Sequence, residues 1–422
     1  PQTQAEAVVA AAFDRPISES YLSFGPAVAA ASIAQVHKAE IDVDGTPTTV
    51  AVKILRPGIA RRFNADLESF FFAARTAEAM STEAQRLRPV EAVATLARSM
   101  AIEMDFRLEA AAASEMAENT KDDPGFRVPA VNWDRTARDV LTLEWIDGIP
   151  LNDRAALETR GLDLPALGSN VIQSFLRHAL RDGFFHADMH PGNLFVDADG
   201  DLVAVDFGIM GRLGPKERLF LAEILFGFIT RDYHRVAQVH FDAGYVPRHH
   251  SVEDFAQAIR AIGEPIHNRT AEDISMAKLL TLLFEVTGLF DMRTRPELIL
   301  LQKTMVVVEG VARSFDPKLD MWKTADPVVR EWIARHLGPA GKLEGAVEGA
   351  GELGRFLGQV PSLLNRAGTL LDQVDDITRN GLVLAPETIA AIGKAEAHRN
   401  RWSAAALWVI ALLLGAIAWM IF

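Results

Sequence analysis

"FFHADMHPGNLFV" spans Phe184 to Val196, and "DLVAVDFGIM" follows from Asp201 to Met210. The first stretch sets an Asp, two His and an Asn within eight residues, between apolar runs short enough to be strands. Asp188 and Asn193 lie five apart in what reads as a loop, and Asp206 opens Asp-Phe-Gly thirteen residues after Asn193. Two carboxylates and an amide held by flanking strands suit a hard cation with oxygen ligands, such as Mg²⁺. Mg²⁺ commonly shares its shell with nucleotide phosphates, and a carboxylate left off the metal can orient or deprotonate a hydroxyl or water. The D-x-x-x-x-N…D-F-G series is the one kinases carry. On that template Asp188 is the catalytic base or orienting group, and Asn193 and Asp206 are metal ligands.

The rest of the template lies upstream. "TTVAVKIL" places Lys53 inside an apolar strand, where a cation is costly unless paired. An edge-strand Lys reaching for water is the ordinary explanation in isolation. With the downstream series present, Lys53 reads as the group that meets the nucleotide phosphates. "EMDFRLEAAA" offers Glu103, Asp105 and Glu109. Glu109 is expected to pair with Lys53, with Glu103 and Asp105 nearer the metal and phosphates; solvated surface carboxylates are the alternative. Before the Lys strand, where a Gly-rich phosphate loop belongs, the chain reads "VAAASIAQVH" from Val28 to His37. Ala restricts positive φ and sets methyl groups facing the phosphates; Ser32 and Gln35 could supply polar contacts. His186 and His190 flank Asp188 and read as loop-holding rather than catalytic groups.

The wider chain fits two or three domains: 422 residues, 49% hydrophobic,. A formal charge of -13 argues against nucleic acid as a partner,. There is no Cys, which excludes disulfides, thiolate metal sites and a Cys nucleophile,. Residues 1–20 look helical; "HKAEIDVDGTPTTVAVKIL" reads as two strands about an Asp44-Gly45 turn,; residues 59–119 look helical. "DVLTLEWIDGIP" reads as a strand ending in a Gly/Pro turn, 163–183 as a helix, and Pro215 to about Arg335 as apolar-periodic helices,. Gly341, Gly345 and Gly349 lie four apart, a pattern for a close-packing or membrane-associated helix face, or equally for a linker,. "WSAAALWVIALLLGAIAWMIF", Trp402 to Phe422, is 21 residues without a charge, long enough to cross a bilayer,. Arg399 and Arg401 before it favour a cytoplasmic catalytic part,. The chain opens with Pro1 and shows no signal peptide, as expected of a chain lacking an N-terminal segment. The fold class is therefore α+β and bilobal. The expected divisions are 1–143 (strand-rich N-lobe with inserted helices), 144–335 (helical C-lobe), 336–401 (Gly-rich membrane-proximal region) and 402–422 (transmembrane helix).

"AAASIAQVH", "VAVKILRPG", "EMDFRLEAA", "HADMHPGNLF", "VDFG" and "RPELILLQKTMVVVEGVARSFDP", in this order, closely resemble the UbiB family of atypical kinases. The resemblance covers roughly Phe24 to Trp322 together with a C-terminal anchor. It implies a protein-kinase-like fold with an Ala-rich nucleotide loop, ATP and Mg²⁺ as cofactors, and a role in ubiquinone biosynthesis at the bacterial inner membrane. By carry-over, Val28, Ala29, Ala30, Ala31, Ser32, Ile33, Ala34, Gln35 and Val36 cradle the nucleotide, Lys53 contacts phosphate and Asp188 is the catalytic acceptor. Strand 139–146 provides the hinge, with backbone groups of Glu144 and Ile146 near adenine. The family's N-terminal Lys-x-Gly-Gln motif, which covers the active site, is not found in this sequence. Ala187 stands where ordinary protein kinases have Arg, and after "DFGIMGRLG" the chain enters a helix with no long activation segment and no Ala-Pro-Glu. Phosphorylation of proteins in trans is therefore not expected.

Three functions are compatible with these residues. The first is a membrane-anchored ATPase or small-molecule kinase acting on membrane lipids, polyprenyl-phenol ubiquinone precursors or the biosynthetic complex. The second is a nucleotide-binding, non-catalytic scaffold that recruits ubiquinone-biosynthesis enzymes to the membrane. The third, a soluble-acceptor phosphotransferase of the aminoglycoside-kinase kind, is opposed by the anchor and the Ala-rich loop. A hydroxylase has no support: there is no flavin fingerprint, and no facial-triad spacing of His and carboxylate is apparent.

Overall fold

The computed structural model describes residues 1–30, 33–80, 88–266, 285–292 and 296–337. The upper lobe is built on an antiparallel sheet of β1 (Ser23–Ala30), β2 (Ala34–Val43), β3 (Thr46–Leu55) and a later strand, Val140–Glu144, in that spatial order. Asp44 and Gly45 make the two-residue turn between β2 and β3, with φ of 53° and 84° and Val43 opposite Thr46. Both positions need positive φ, which Asp-Gly supplies. Strand periodicity then sorts the side chains. Val50, Val52 and Ile54 face α1 (Gln2–Phe13), packing with Ala5, Val9 and Tyr21. Lys53 points to the other face. There, α5 (Phe106–Thr120) packs Phe106 and Ala110 against Ala34, Leu141 and Leu143. The short helix α2 (Ile17–Ser20) leads into β1. Helices α3 (Ile59–Met80) and α4 (Pro89–Glu103) pack on each other and bury little.

The lower lobe takes its first strand from within residues 1–143, the stretch expected to form the upper one. β4 (Phe126–Arg127) pairs in parallel with Leu202–Ala204, and the second half of α5 contributes Ala113 and Met116 to the lower core. The chain then returns upward for β5 (Val140–Glu144), the fourth strand of the upper sheet. A helix with apolar residues along its whole length can serve both cores, so α5 belongs to both lobes. The lower sheet runs β4, β9 (Leu202–Ala204), β8 (Leu194–Val196), β6 (Ile149–Pro150). A separate antiparallel pair joins β7 (Phe184–His186) to β10 (Met210–Arg212). These short strands hold the two polar loops between them.

Helices α6 (Arg154–Thr159), α7 (Leu164–Arg177), α8 (Pro215–Thr230), α9 (Tyr233–Asp242), α10 (Val252–Ile266), α11 (Pro296–Phe315) and α12 (Met321–Leu337) complete the lobe. The expected helix over 163–183 divides into α7 and a π-turn, His178–Asp182. Val171, Phe175 and Leu176 of α7 pack with Val308 and Ala312 of α11 and with Val329 and Trp332 of α12. The Trp332 indole donates to Leu180 O at 2.8 Å, so its one polar atom is satisfied in the core,. As expected, a helix follows the Asp-Phe-Gly turn almost at once: α8 starts at Pro215, just after β10.

Pro1–Gly338 forms one compact unit. Among the described residues no helix is long and apolar enough to cross a membrane. The Trp402–Phe422 stretch and the glycine series lie outside the described residues, as do Ala31 and Ser32.

Gly183 ends the π-turn at φ 65°, and a Cβ there would collide with Leu213 O and crowd the Arg218 side chain. Gly200, at φ 91°, has nothing within 4 Å of its virtual Cβ. Gly183→Ala is expected to destabilise by about 2–4 kcal/mol and Gly200→Ala by about 1 kcal/mol. Urea midpoints of the two variants check the difference; equal losses would mean that crowding at Leu213 contributes nothing.

Candidate active site

Lys53, from the open face of β3, reaches two carboxylates. Its Nζ donates to Glu109 at 2.7 and 3.0 Å and to Asp206 Oδ1 at 3.0 Å. Glu109 is buried, on the first turns of α5, and also accepts the N–H of Phe207. Burial alone pulls the Lys53 pKa down, but the charges of Glu109 and Asp206 outweigh it and the net shift is upward,. Burial likewise opposes ionisation of Asp206, yet Lys53 brings its pKa below the usual carboxylate range. Burial pushes Glu109 up against the pull of Lys53. The ammonium therefore stays charged. Asp206 sits at φ 63°, a left-handed conformation uncommon for a residue with a side chain,.

The Asp188 loop is held from three sides. Asn193 donates its amide to Asp188 O at 3.0 Å and to Asp188 Oδ2 at 3.2 Å. That commits the amide nitrogen and leaves its oxygen as the atom for a cation. The Val205 N–H donates to Asn193 O at 2.8 Å, which sets Asn193 beside the strand that leads into Asp206. Buried His186 accepts the Asp188 N–H on Nδ1 at 3.1 Å and donates Nε2–H to Val205 O at 3.1 Å. Those partners fix one neutral tautomer, and burial lowers its pKa,. His190 accepts the Gly192 N–H on Nδ1 at 3.1 Å. Both imidazoles thus hold the loop.

A cleft of about 530 Å³ joins these groups. Lys53, Glu103, Glu109, Asp188 and Asp206 line it, with Ile33 and Ala34 from the start of β2. Glu115 and Arg212 line it as well, so two cations face five carboxylates and the cleft is net negative; its carboxylate oxygens, with the Asn193 amide oxygen beside Asp188, suit Mg²⁺ better than a softer ion,. Val28, Ala29 and Ala30 end β1 in solvent, while Gln35 and Val36 continue β2 outside the lining.

Three more of the expected residues stand outside the cleft lining. Asp105 does not line the cleft. It caps α5, accepting the Arg107 N–H at 3.2 Å, and binds the Arg107 guanidinium at 2.9 and 2.6 Å. An Asp ahead of a helix satisfies its free N–H groups, a local demand stronger than the distant cleft. Glu144 and Ile146 also lie outside the lining. The Glu144 N–H goes to Ala130 O at 2.8 Å and its carboxylate to Arg127 at 3.0 Å. Sequence reasoning missed Thr304, buried on α11, whose hydroxyl donates to Ala187 O at 3.0 Å. It also missed Arg212, bound to Glu115 of α5 at 2.8 Å and stacked 4.3 Å from the Phe184 ring. A lone Thr within an apolar-periodic helix was the available signal for Thr304.

The model of the ABC1 atypical kinase-like domain matches residues 1–240, and that of the UbiB helical domain matches residues 259–320. The chain belongs to the UbiB family. A Marinobacter nauticus "Probable protein kinase UbiB" is 36% identical over the whole of this chain and 81% of its own length. The Azotobacter vinelandii protein of that name is 39% identical over 85% of this chain and 66% of its own length. A solved complex of Rv3197 with erythromycin, from Mycobacterium tuberculosis, superposes with a TM-score of 0.61 at 25% identity, covering 81% of this chain and 84% of that one. The UbiB assignment implies a kinase-type transferase connected with ubiquinone biosynthesis, on a kinase-like α+β fold.

His178 is buried like His186, with its pKa also lowered by burial. A histidine neutral in the folded state and near pKa 6.5 when unfolded contributes stability that is complete above about pH 6.5. That stability is lost as pH falls toward the depressed folded value. Thermal stability is therefore expected to drop between pH 7 and 5, by about 1.4 kcal/mol per pH unit for each imidazole. His178→Gln should flatten the profile. An unchanged slope would contradict the neutral assignment.

Proposed function

We propose that this protein is a membrane-anchored, ATP- and Mg²⁺-dependent atypical kinase or ATPase that supports ubiquinone biosynthesis. It acts on lipid intermediates or on the biosynthetic complex rather than on proteins in trans. The single observation that supports this most is Lys53 held between Glu109 and Asp206 in the same cleft as Asp188. ATP with Mg²⁺ would supply the transferable phosphoryl group and neutralise its charge. Lys53 would place its ammonium on the phosphates, with Glu109 keeping it extended across the cleft. Asp206 and the Asn193 oxygen would hold the cation, and the strained Asp206 backbone presents that carboxylate from a fixed turn. Asp188 would orient the attacking water or hydroxyl and take its proton, and Asn193 and His186 keep the Asp188 loop in place. The direct passage from β10 into α8 leaves little chain to dock a peptide, which favours a small acceptor or water. The 21-residue apolar stretch ending at Phe422 supports anchoring in the bacterial inner membrane, with the catalytic part cytoplasmic,.

The Ala-rich β1–β2 end favours a second reading, an ATP-responsive scaffold that recruits pathway enzymes. Methyl groups of Ile33 and Ala34 line the cleft where close backbone approach to phosphate is usual,. Hydrolysis decides between them. In anionic liposomes with a phenolic ubiquinone-precursor mimic, Mg²⁺-dependent ATP turnover is expected, with Asp188→Asn lowering it by about 100-fold or more. Turnover absent from the wild type despite ATP-dependent thermal stabilisation would move the assignment to the scaffold.

A further inference from the structure

A second donor set lies apart from the kinase cleft, in the helical part of the lower lobe. His249 and His250 stand in the loop between α9 and α10; Asp291 stands in the turn after the helical segment 285–289. His250 Nε2 is 3.1 Å and His249 Nε2 3.6 Å from the same oxygen, Asp291 Oδ2. Among the described residues this is the one group of three or more His, Asp or Glu whose ligand atoms all lie within 4.8 Å of one another. We propose that His249, His250 and Asp291 form a binding site for a divalent ion of the Zn²⁺ type, closed by water.

The donor set carries the ion class. Two imidazoles and one carboxylate suit Zn²⁺ and its first-row neighbours, whereas Mg²⁺ and Ca²⁺ prefer all-oxygen shells. Ligand atoms about 2.0–2.2 Å from one ion stand roughly 3–3.5 Å from each other; the His250 separation of 3.1 Å falls within that edge and the His249 separation of 3.6 Å just beyond it. Without an ion the arrangement has little to hold it, because exposed His–carboxylate contacts contribute at most about 1 kcal/mol. Binding would need little movement. The His250 ring packs 5.3 Å from Phe290, which is buried 4.9 Å from Phe255. Ser251 Oγ caps α10 through the Asp254 N–H at 3.2 Å, and the Met292 N–H returns to Thr287 O at 3.0 Å, so both backbones are fixed. On coordination each imidazole binds through its Nε2 lone pair and carries its proton on Nδ1. No redox step is involved. The sequence gives no triad spacing because the ligands are 41 residues apart and meet only through the cluster of Tyr233, Val246, Phe255, Ile259 and Phe290.

An ion there would pin the α9–α10 loop to the 285–292 segment. Untagged full-length protein in detergent, freed of metal, should bind one Zn²⁺ per chain at this site by titration calorimetry, with no signal from Mg²⁺ there. His250→Ala and Asp291→Asn should each weaken it by about tenfold or more. Asp206→Asn should leave it intact, which separates this site from the kinase cleft. Zn²⁺ should slow hydrogen exchange in residues 247–251 and 285–292 of the wild type but not of Asp291→Asn. Equal Zn²⁺ binding in the wild type and both site variants, or no binding at all, would overturn the proposal. One ion per two chains with dimers in sedimentation would also overturn it, by placing the ion between copies.

Discussion

A largely buried lysine needs partners, and most of this candidate site follows from where Lys53 finds them,. β3 turns Lys53 away from α1 and into the inter-lobe space. There it meets Glu109 of α5 and Asp206 of the lower lobe. Removing one partner of a buried pair leaves an uncompensated charge, far costlier than losing an exposed pair. Asp206 is itself half exposed, so its share is smaller than that of Glu109. The same contact also fixes the relation of the lobes, since α5 packs on the upper sheet at Phe106 and in the lower core at Met116. The geometry of the candidate site and the lobe arrangement thus meet in one ion triad.

The lower lobe supports the triad through neutral groups. His186 ties the Asp188 amide to Val205, Asn193 ties Asp188 to the strand before Asp206, and Thr304 of α11 holds the Ala187 carbonyl. None of these carries charge, so none competes with a bound cation. The pairing of β7 with β10 and of β8 with β9 places each loop at the end of a strand rather than on a free tip. Phe207, buried beneath the loop and 5.4 Å from the His186 ring, completes the floor.

Much of this was readable because the informative residues are close in sequence. The Asp188, Asn193 and Asp206 series and the Asp44-Gly45 turn are short-range patterns with a physical reason for each residue. The Lys53–Glu109 contact spans 56 residues and became legible only through the kinase template. β4 is two residues long, too short to carry a period, so its move to the lower sheet left no trace. The capping role of Asp105 was legible in principle, since it directly precedes Phe106 and the helix, but its nearness to Glu103 suggested the metal instead. The ion pair of Glu144 with Arg127, seventeen residues away and on another strand, left no trace in the spacing. The 249–250–291 cluster is invisible to spacing rules for the same reason.

The central claim is that Lys53, Asp188, Asn193 and Asp206 form one metal-nucleotide site. Equilibrium binding of ATP with and without Mg²⁺, in the wild type and in Asp206→Asn, tests it most directly. The account predicts tight binding only with Mg²⁺ in the wild type, and weak, Mg²⁺-independent binding in the variant. ATP affinity that is indifferent to Mg²⁺ in the wild type, or equally Mg²⁺-dependent in both proteins, would contradict it.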